Sequence, residues 1–300
     1  MSNFYPQETF TLITGESKKV NIKFDCATSP AYYRSNTDFW YSGYPTSSVS
    51  YQYSTGKFSM TSNSSYIIST VTMTHKVTWT SKTFKMVIKP HMVMLGFPDT
   101  GHNHYSYMDN VQSNMGTNFS TYTKLQGSYT KEYILSTIDN TGNNVFVSRT
   151  HGGEQMNGGS VVTTAIYLDQ YDDEVYLSGE DLYNSYTGGG ANVDLTNMRL
   201  MVFCGCNTAS PNVISGHYTL PESAVKCGAE CAIGFSGTIV CESANDWTKK
   251  FFELLGDGMT VSQARSTMYS ETESNGITPE IVEINRKSKV FGSSGIKLDF

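Results

Sequence analysis

The chain reads as two consecutive folds, an all-β segment over residues 1–90 and an α/β domain with a mainly parallel sheet over residues 91–300. Three observations carry this reading. Residues 8–90 alternate apolar and polar positions in short runs (TFTLITG, KVNIKFDC, YIISTVTMTHKVTW, FKMVIK) separated by Ser, Asn, Gly and Pro clusters, the pattern of a β-sandwich. Beyond Lys89-Pro90 the runs become short and continuously apolar, as in MVMLGF at 92–97, which is how strands buried on both faces read. Helix-length segments then alternate with these runs, and that alternation implies parallel strands covered on both sides.

The first segment reads as an immunoglobulin-like sandwich whose last strand closes at Pro90, because proline supplies no ladder donor. Its aromatic residues, Tyr32, Tyr33, Trp40, Tyr41, Tyr44, Tyr51 and Tyr53, fit a packed interior or a carbohydrate-stacking surface, with packing favoured. In the second segment, strands are expected at 92–97, 143–149, 174–177, 198–205 and 229–235. Helices are expected in YMDNVQSNM, GEDLYNSY and ANDWTKKFFELLGDG, the last with Asp246 near its start and Gly256 and Gly258 as stops. Ligands of such sheets bind beyond the carboxyl ends of the strands.

Composition narrows the partners. With 21 Lys+Arg against 27 Asp+Glu the net charge is −6, spread without long runs of one sign, which argues against nucleic acid and anionic membrane surfaces and favours peptidic or small ligands. No stretch approaches the roughly 18 to 20 apolar residues that span a bilayer, and the N-terminus MSNFYPQETF lacks the layout of a signal peptide. Few charges and many Ser, Thr, Asn, Gly and Tyr suggest an extracellular or cell-surface bacterial protein whose export signal is absent from this chain. Of the six cysteines, five lie between 204 and 241; this is neither a disulfide framework nor two zinc ligand pairs, and buried apolar filling accounts for most of them.

Two strand ends carry chemistry. The run ending at Arg149 is followed by Thr150-His151-Gly152-Gly153, and the run ending at Phe203 by Cys204-Gly205-Cys206-Asn207-Thr208. A thiol attacks a peptide carbonyl as thiolate, and an imidazole supplies that state by taking the proton and later returning it to the leaving amine. Glycine after the histidine lets substrate backbone approach and lets the Gly152 or Gly153 amide face a developing oxyanion. Alone, His-Gly-Gly is a turn and a buried Cys is core filler. Together, 55 residues apart, they match the His-before-Cys spacing noted for caspases.

These residues also carry a resemblance. LMVFCGCNTAS resembles the strand-then-cysteine motif of gingipains, clostripain-like peptidases and CHAT-domain proteases, and VFVSRTHGG resembles their His-Gly motif. The segments 176–182, 220–234, 246–264 and 290–298 are similar to pieces those proteins place in the same order, so the resemblance covers residues 91–300. It implies a caspase-haemoglobinase fold (clan CD) and a cysteine endopeptidase mechanism, with His151 as general base and acid, Cys206 as nucleophile, and a peptide or protein as substrate. It implies no required cofactor. Cys204 competes with Cys206; the small residue before Cys206 and the polar and small residues after it favour Cys206. Clostripain-like enzymes place Asp where Cys204 stands, so Arg or Lys specificity does not carry over.

Other residues could shape the substrate pocket: Asp99 and His102 in the loop after the first strand, Cys204 itself, and Ser236, Gly237 and Thr238 after the 229–235 strand. Ordinary loop roles fit them as well. The run Asp172-Asp173-Glu174 fits a solvated turn, a contact for a basic side chain, or calcium. His102 and His104 with Asp99 form the best metal-like grouping, which an unscaffolded loop argues against, so no metal ligands are assigned. His75 and His91 read as structural, and His217 as lining the cleft or facing water. Gly188-Gly189-Gly190 reads as a flexible connector within 183–192, a stretch open to activating cleavage. Two other functions compete: an adhesion or interaction module that has lost activity, and a metal-dependent hydrolase using His102 and His104.

Overall fold

The computed structural model divides into two compact units, Met1–Pro90 and His91–Phe300. It describes the strands of the first unit with residues 43–44, and residues 91–298 of the second apart from 97, 100–101, 117–118, 120, 140–142, 170–173, 186–188, 197 and 270–274.

All described elements of the first unit are strands, in three sheets. Ile22–Cys26 lies between Asn3–Pro6 and Ser29–Tyr32. Ser81–Ile88 pairs antiparallel with Ile67–His75 and parallel with Thr9–Leu12, and Phe39–Ser42 completes that sheet. Lys57–Met60 lies between Ser17–Lys19 and Val49–Gln52. The second and third sheets meet through aromatic rings. Tyr41 stands 4.6 Å from Tyr51 and 5.3 Å from Phe58 between ring centroids. Tyr41 and Phe58 are buried, so these rings form packed core, while neighbouring Trp40 is 43% exposed.

The second unit is built on one six-stranded sheet. Its strands are β1 (His91–Gly96), β2 (Thr121–Gln126), β3 (Asn143–Arg149), β7 (Leu200–Cys204), β8 (Cys231–Phe235) and β9 (Ser288–Gly292). A three-stranded antiparallel sheet of β4 (Gly152–Asn157), β5 (Ser160–Tyr167) and β6 (Tyr176–Ser178) lies in the chain between β3 and β7. The main order is β2-β1-β3-β7-β8-β9, parallel throughout except for the β8–β9 pair.

Helices cover both faces. One core joins Met92, Met94, Val145, Val147, Leu200, Val202 and Ile233 to α1 (Met108–Met115), α5 (Cys241–Gly256), α6 (Val261–Thr267) and α7 (Pro279–Lys287). The other joins Val93, Leu95, Phe146, Met201, Phe203 and Ala232 to α2 (Lys131–Ile138), α3 (Gly179–Leu182) and α4 (Leu220–Lys226). Successive residues of one strand thus feed opposite cores, which is why the strands read as unbroken apolar runs rather than as alternation.

Trp247 anchors the first core. It is fully buried, stacks on Phe251 at 4.8 Å, meets Phe235 edge-on at 5.0 Å, and donates its indole N–H to Asn285 Oδ1 at 3.2 Å. Trp247→Ala is expected to destabilise the fold by roughly 3–5 kcal/mol through the cavity it leaves, measured as a lowered urea midpoint; a loss under 1 kcal/mol would contradict this packing.

Several expected boundaries move. The helix expected over GEDLYNSY stops at Leu182, because Tyr183 and Asn184 pair instead with Gly190 and Ala191. Its start is held by a capping box in which Ser178 and Asp181 exchange hydrogen bonds. The helix expected to start near Asp246 begins a turn earlier, at Cys241.

Candidate active site

Strands β3 and β7 are parallel neighbours with Arg149 opposite Cys204, so the two segments leave the sheet side by side at the same edge. The turns after them touch backbone to backbone. A Cβ on Gly152 would stand 2.6 Å from Cys206 O and 3.1 Å from Cys206 N, and one on Gly205 would stand 3.0 Å from Thr150 O. Glycine at both positions is therefore a requirement of the crossing rather than of chain flexibility.

The cysteine turn is tightly tied. Asn207 adopts φ 56°, a left-handed conformation that Asn tolerates better than most residues. The Thr208 hydroxyl donates to Phe203 O at 2.7 Å and accepts from Phe235 N at 2.9 Å, while Asn207 N donates to Gly237 O at 3.0 Å. Cys206 is half-buried and receives the Ile239 N–H at 3.4 Å on its sulfur. That amide is placed to steady a thiolate.

His151 is exposed. Its carbonyl accepts from Tyr167 N at 3.0 Å and from the Thr150 hydroxyl at 2.9 Å, which fixes its backbone. Its ring meets the His104 ring edge-on at 4.9 Å between centroids, and His104 is buried with Cys241 Sγ 3.8 Å from its Nδ1. The His151–Tyr167 hydrogen bond also sets the phase of the β4–β5 ladder. In that phase the Gly152 N–H turns away from β5, toward the side where Gly205 and Cys206 lie, and the Gly153 N–H points into the ladder. Gly152 and Gly153 thus differ in where their amides face, the one leaving the β4–β5 ladder and the other entering it.

The pocket residues separate. Ser236, Gly237 and Thr238 form the loop beside the cysteine turn, held by Lys287, whose carbonyl accepts from Ser236 N at 2.9 Å and whose Nζ donates to Thr238 O at 2.9 Å. Cys204, expected to line the pocket, does not. It is fully buried among the side chains facing α5, where Thr248 Oγ1 lies 3.6 Å from its sulfur, and burial raises its pKa. Cys204→Ala is expected to leave thiol reactivity at Cys206 intact while lowering stability by about 1 kcal/mol; loss of that reactivity would contradict the assignment. Burial likewise pushes the Cys227 thiol up to about 11 and Cys231 to about 12.

Asp99 and His102 pair through their backbones in a two-residue hairpin, and their side chains lie outside the described residues, as do Asp172, Asp173 and Gly188. His104, grouped with His102 from the sequence, instead packs on His151. Among the described residues no three His, Cys, Asp or Glu side chains converge to hold a metal. His91 bonds Thr123 Oγ1 at 2.7 Å, and burial lowers its pKa. His217 Nδ1 lies 2.9 Å from Ser185 Oγ and 3.4 Å from Glu180 Oε1. It lines a cavity of about 440 Å³ with Ser210, Pro211, Ile214, Ser236 and Phe291. His104, Ile239 and Cys241 are the site neighbours that sequence reasoning missed; only the backbone course of distant segments reveals them.

No protein-family model matches the chain, and no curated relative does. Among solved structures it is similar to the Arg-specific cysteine proteinase gingipain R (RgpB), at 10% identity and a TM-score of 0.49, over 69% of this chain and 47% of that one. It is similar too to the complex of Porphyromonas gingivalis RgpB pro- and mature domains, at 12% identity and 0.44, over 69% and 48%. A third similarity is to the Saccharomyces cerevisiae separase–securin complex, at 12% identity and 0.44, over 68% and 12%. The chain spans about half the length of the gingipain chains it matches. The mainly parallel sheet with helices on both faces is the α/β class expected from the sequence. In this unit the carboxyl ends of β3 and β7 lie at the edge where parallel sheets place their ligands.

Proposed function

We propose that residues 91–300 form a cysteine endopeptidase acting through His151 and Cys206. The observation that carries this is the backbone contact between the two turns, which brings an exposed imidazole and a half-buried thiol to one edge of the sheet. His151 takes the Cys206 proton, and the sulfur attacks the scissile carbonyl carbon. The resulting oxyanion accepts a hydrogen bond from the Gly152 N–H. Collapse breaks the C–N bond as His151 returns the proton to the leaving amine, giving a thioester. Water, deprotonated by His151, then releases the acid and restores the thiol. No metal or cofactor enters these steps.

The loop of Ser236, Gly237 and Thr238 and the adjoining cavity are proposed to receive substrate side chains, since Ser236 belongs to both. Asp99 and His102 are proposed as further residues shaping the substrate pocket. The first unit is proposed as an immunoglobulin-like sandwich serving as spacer or docking module, on a chain that works outside the cell. The test is hydrolysis of fluorogenic peptides sampling every P1 residue by the wild type, Cys206→Ala, Cys204→Ala and His151→Ala, with and without calcium. Cleavage lost in Cys206→Ala and His151→Ala but kept in Cys204→Ala is expected, and it names the P1 residue. Cleavage that survives Cys206→Ala would overturn the dyad.

A further inference from the structure

Arg149 is the last residue of β3, two positions before His151, and only 2% of its surface is exposed. Its Nη1 donates to the carbonyls of Cys204 at 3.2 Å and Thr150 at 3.3 Å, its Nη2 to the carbonyl of Cys241 at 2.9 Å, and its Nε has no partner. Among the described residues no carboxylate pairs with it. Burying an uncompensated cation is costly, and three neutral carbonyls offset that only in part. A charge kept under those conditions, at the meeting point of the three segments that build the site, has a use beyond packing.

The three carbonyls identify that use. Thr150 precedes His151; Cys204 precedes Cys206 by two residues; Cys241 follows the Ile239 amide that contacts the Cys206 sulfur. Two residues of chain reach about 7 Å, so the guanidinium lies within roughly 10 Å of the Cys206 backbone and, being buried, out of reach of bulk water. The other titratable groups there are His151 and His104, the thiols of Cys204 and Cys241, the Tyr107 phenol, and Glu242 in the first turn of α5. Tyr107 donates to backbone oxygens of Leu95 and Val147, so it adds no negative charge.

We propose that Arg149 is a positioning residue with a fixed positive charge: it clamps the three segments and holds a potential at Cys206 that attracts and steadies anions. The anions are the thiolate and the oxygen anion of the tetrahedral intermediate, so the assignment rests on the peptidase reading for its purpose but not for its test.

The test compares alkylation of Cys206 by iodoacetate, an anion, with alkylation by neutral iodoacetamide, quantified by mass spectrometry of the Cys206 peptide at about pH 8.5, where ordinary imidazoles are neutral. The anion-to-neutral rate ratio, referred to that of N-acetylcysteine, reports the local potential. The wild type is expected to exceed the free thiol on the order of tenfold, the size of a unit charge acting over roughly 10 Å at an intermediate effective dielectric. Arg149→Gln is expected to lose that excess and Arg149→Lys to keep most of it. Equal ratios in wild type and folded Arg149→Gln would overturn the proposal. If Arg149→Gln does not fold, His151→Ala decides, because it alters an exposed side chain: a persisting excess supports Arg149, and a fall to the free-thiol ratio assigns the charge to His151 and sinks the idea. Protein that keeps the excess yet cleaves no peptide would refute the hydrolase reading and leave Arg149 in place.

Discussion

Cys206→Ala is expected to reduce peptide hydrolysis by roughly 10⁴-fold or more, with substrate binding little changed. Alanine removes the only atom able to form the thioester, and neighbouring thiols cannot replace it. Cys204 is sealed within the core, and the Cys241 sulfur lies against the buried His104 ring. His151→Ala is expected to fall by a similar factor, and the double variant no further, because nucleophile and base act as one unit. Steady-state kinetics on the best P1 substrate, with active-site titration by an irreversible thiol reagent, measures this. A His151→Ala enzyme retaining a tenth of wild-type kcat would mean that the proton is handled elsewhere.

Gly152→Ala is expected to lower turnover on the order of 100-fold, for a geometric rather than a chemical reason. The added methyl would stand 2.6 Å from Cys206 O and 2.8 Å from Thr208 Cγ2. The first of these neighbours is backbone, which cannot swing aside. The Cys206 turn is itself pinned by Thr208, Gly237 and Phe235, so relief must come from separating the His151 and Cys206 segments. A displacement near 1 Å at reacting atoms lowers rates on the order of 100-fold, and the strain is expected to lower stability by about 1–3 kcal/mol. Thermal unfolding and kcat together test this, with Gly153→Ala as comparison. There the new methyl meets the Tyr167 hydroxyl at 2.7 Å, the far end of a side chain that can shift, so a smaller loss of kcat is expected. Equal losses in the two variants would remove Gly152 from its special position.

Much of this architecture was legible because burial on both faces leaves a strong mark. The runs at 92–97, 143–149, 198–205 and 229–235 correspond to β1, β3, β7 and β8, whose apolar side chains enter the two cores. Strand β2, TYTKLQ, escaped notice because it is an edge strand carrying mostly polar side chains. The β4–β5 hairpin was masked by its first strand, GGEQMN, which has almost no apolar content, although its turn at Gly158-Gly159 uses positive φ at both residues. Helix α7 went unread although it opens with Thr278 as cap and Pro279 at its first turn. In the site, His151 and Cys206 could be singled out because glycines and strand ends flank them. The packing of His104 on His151 and of Cys241 on His104 could not: it joins segments 47 and 90 residues away from His151, and the local pattern around His104 suggests only a metal grouping with His102.

The parallel pairing of β3 with β7 has a consequence for the life of the chain. His151 and Cys206 are 55 positions apart, and the connection between them contains the β4–β5–β6 sheet, α3 and the pairing of 183–184 with 190–191. A parallel neighbour cannot be reached by a tight turn, and such long-range pairing forms slowly relative to local structure. A chain still emerging from the ribosome therefore carries an inert histidine for as long as β7 is missing. On the proposed peptidase reading, hydrolytic power would arrive only with completion of the sheet, and a nascent chain would be kept from digesting itself or its neighbours before it is whole.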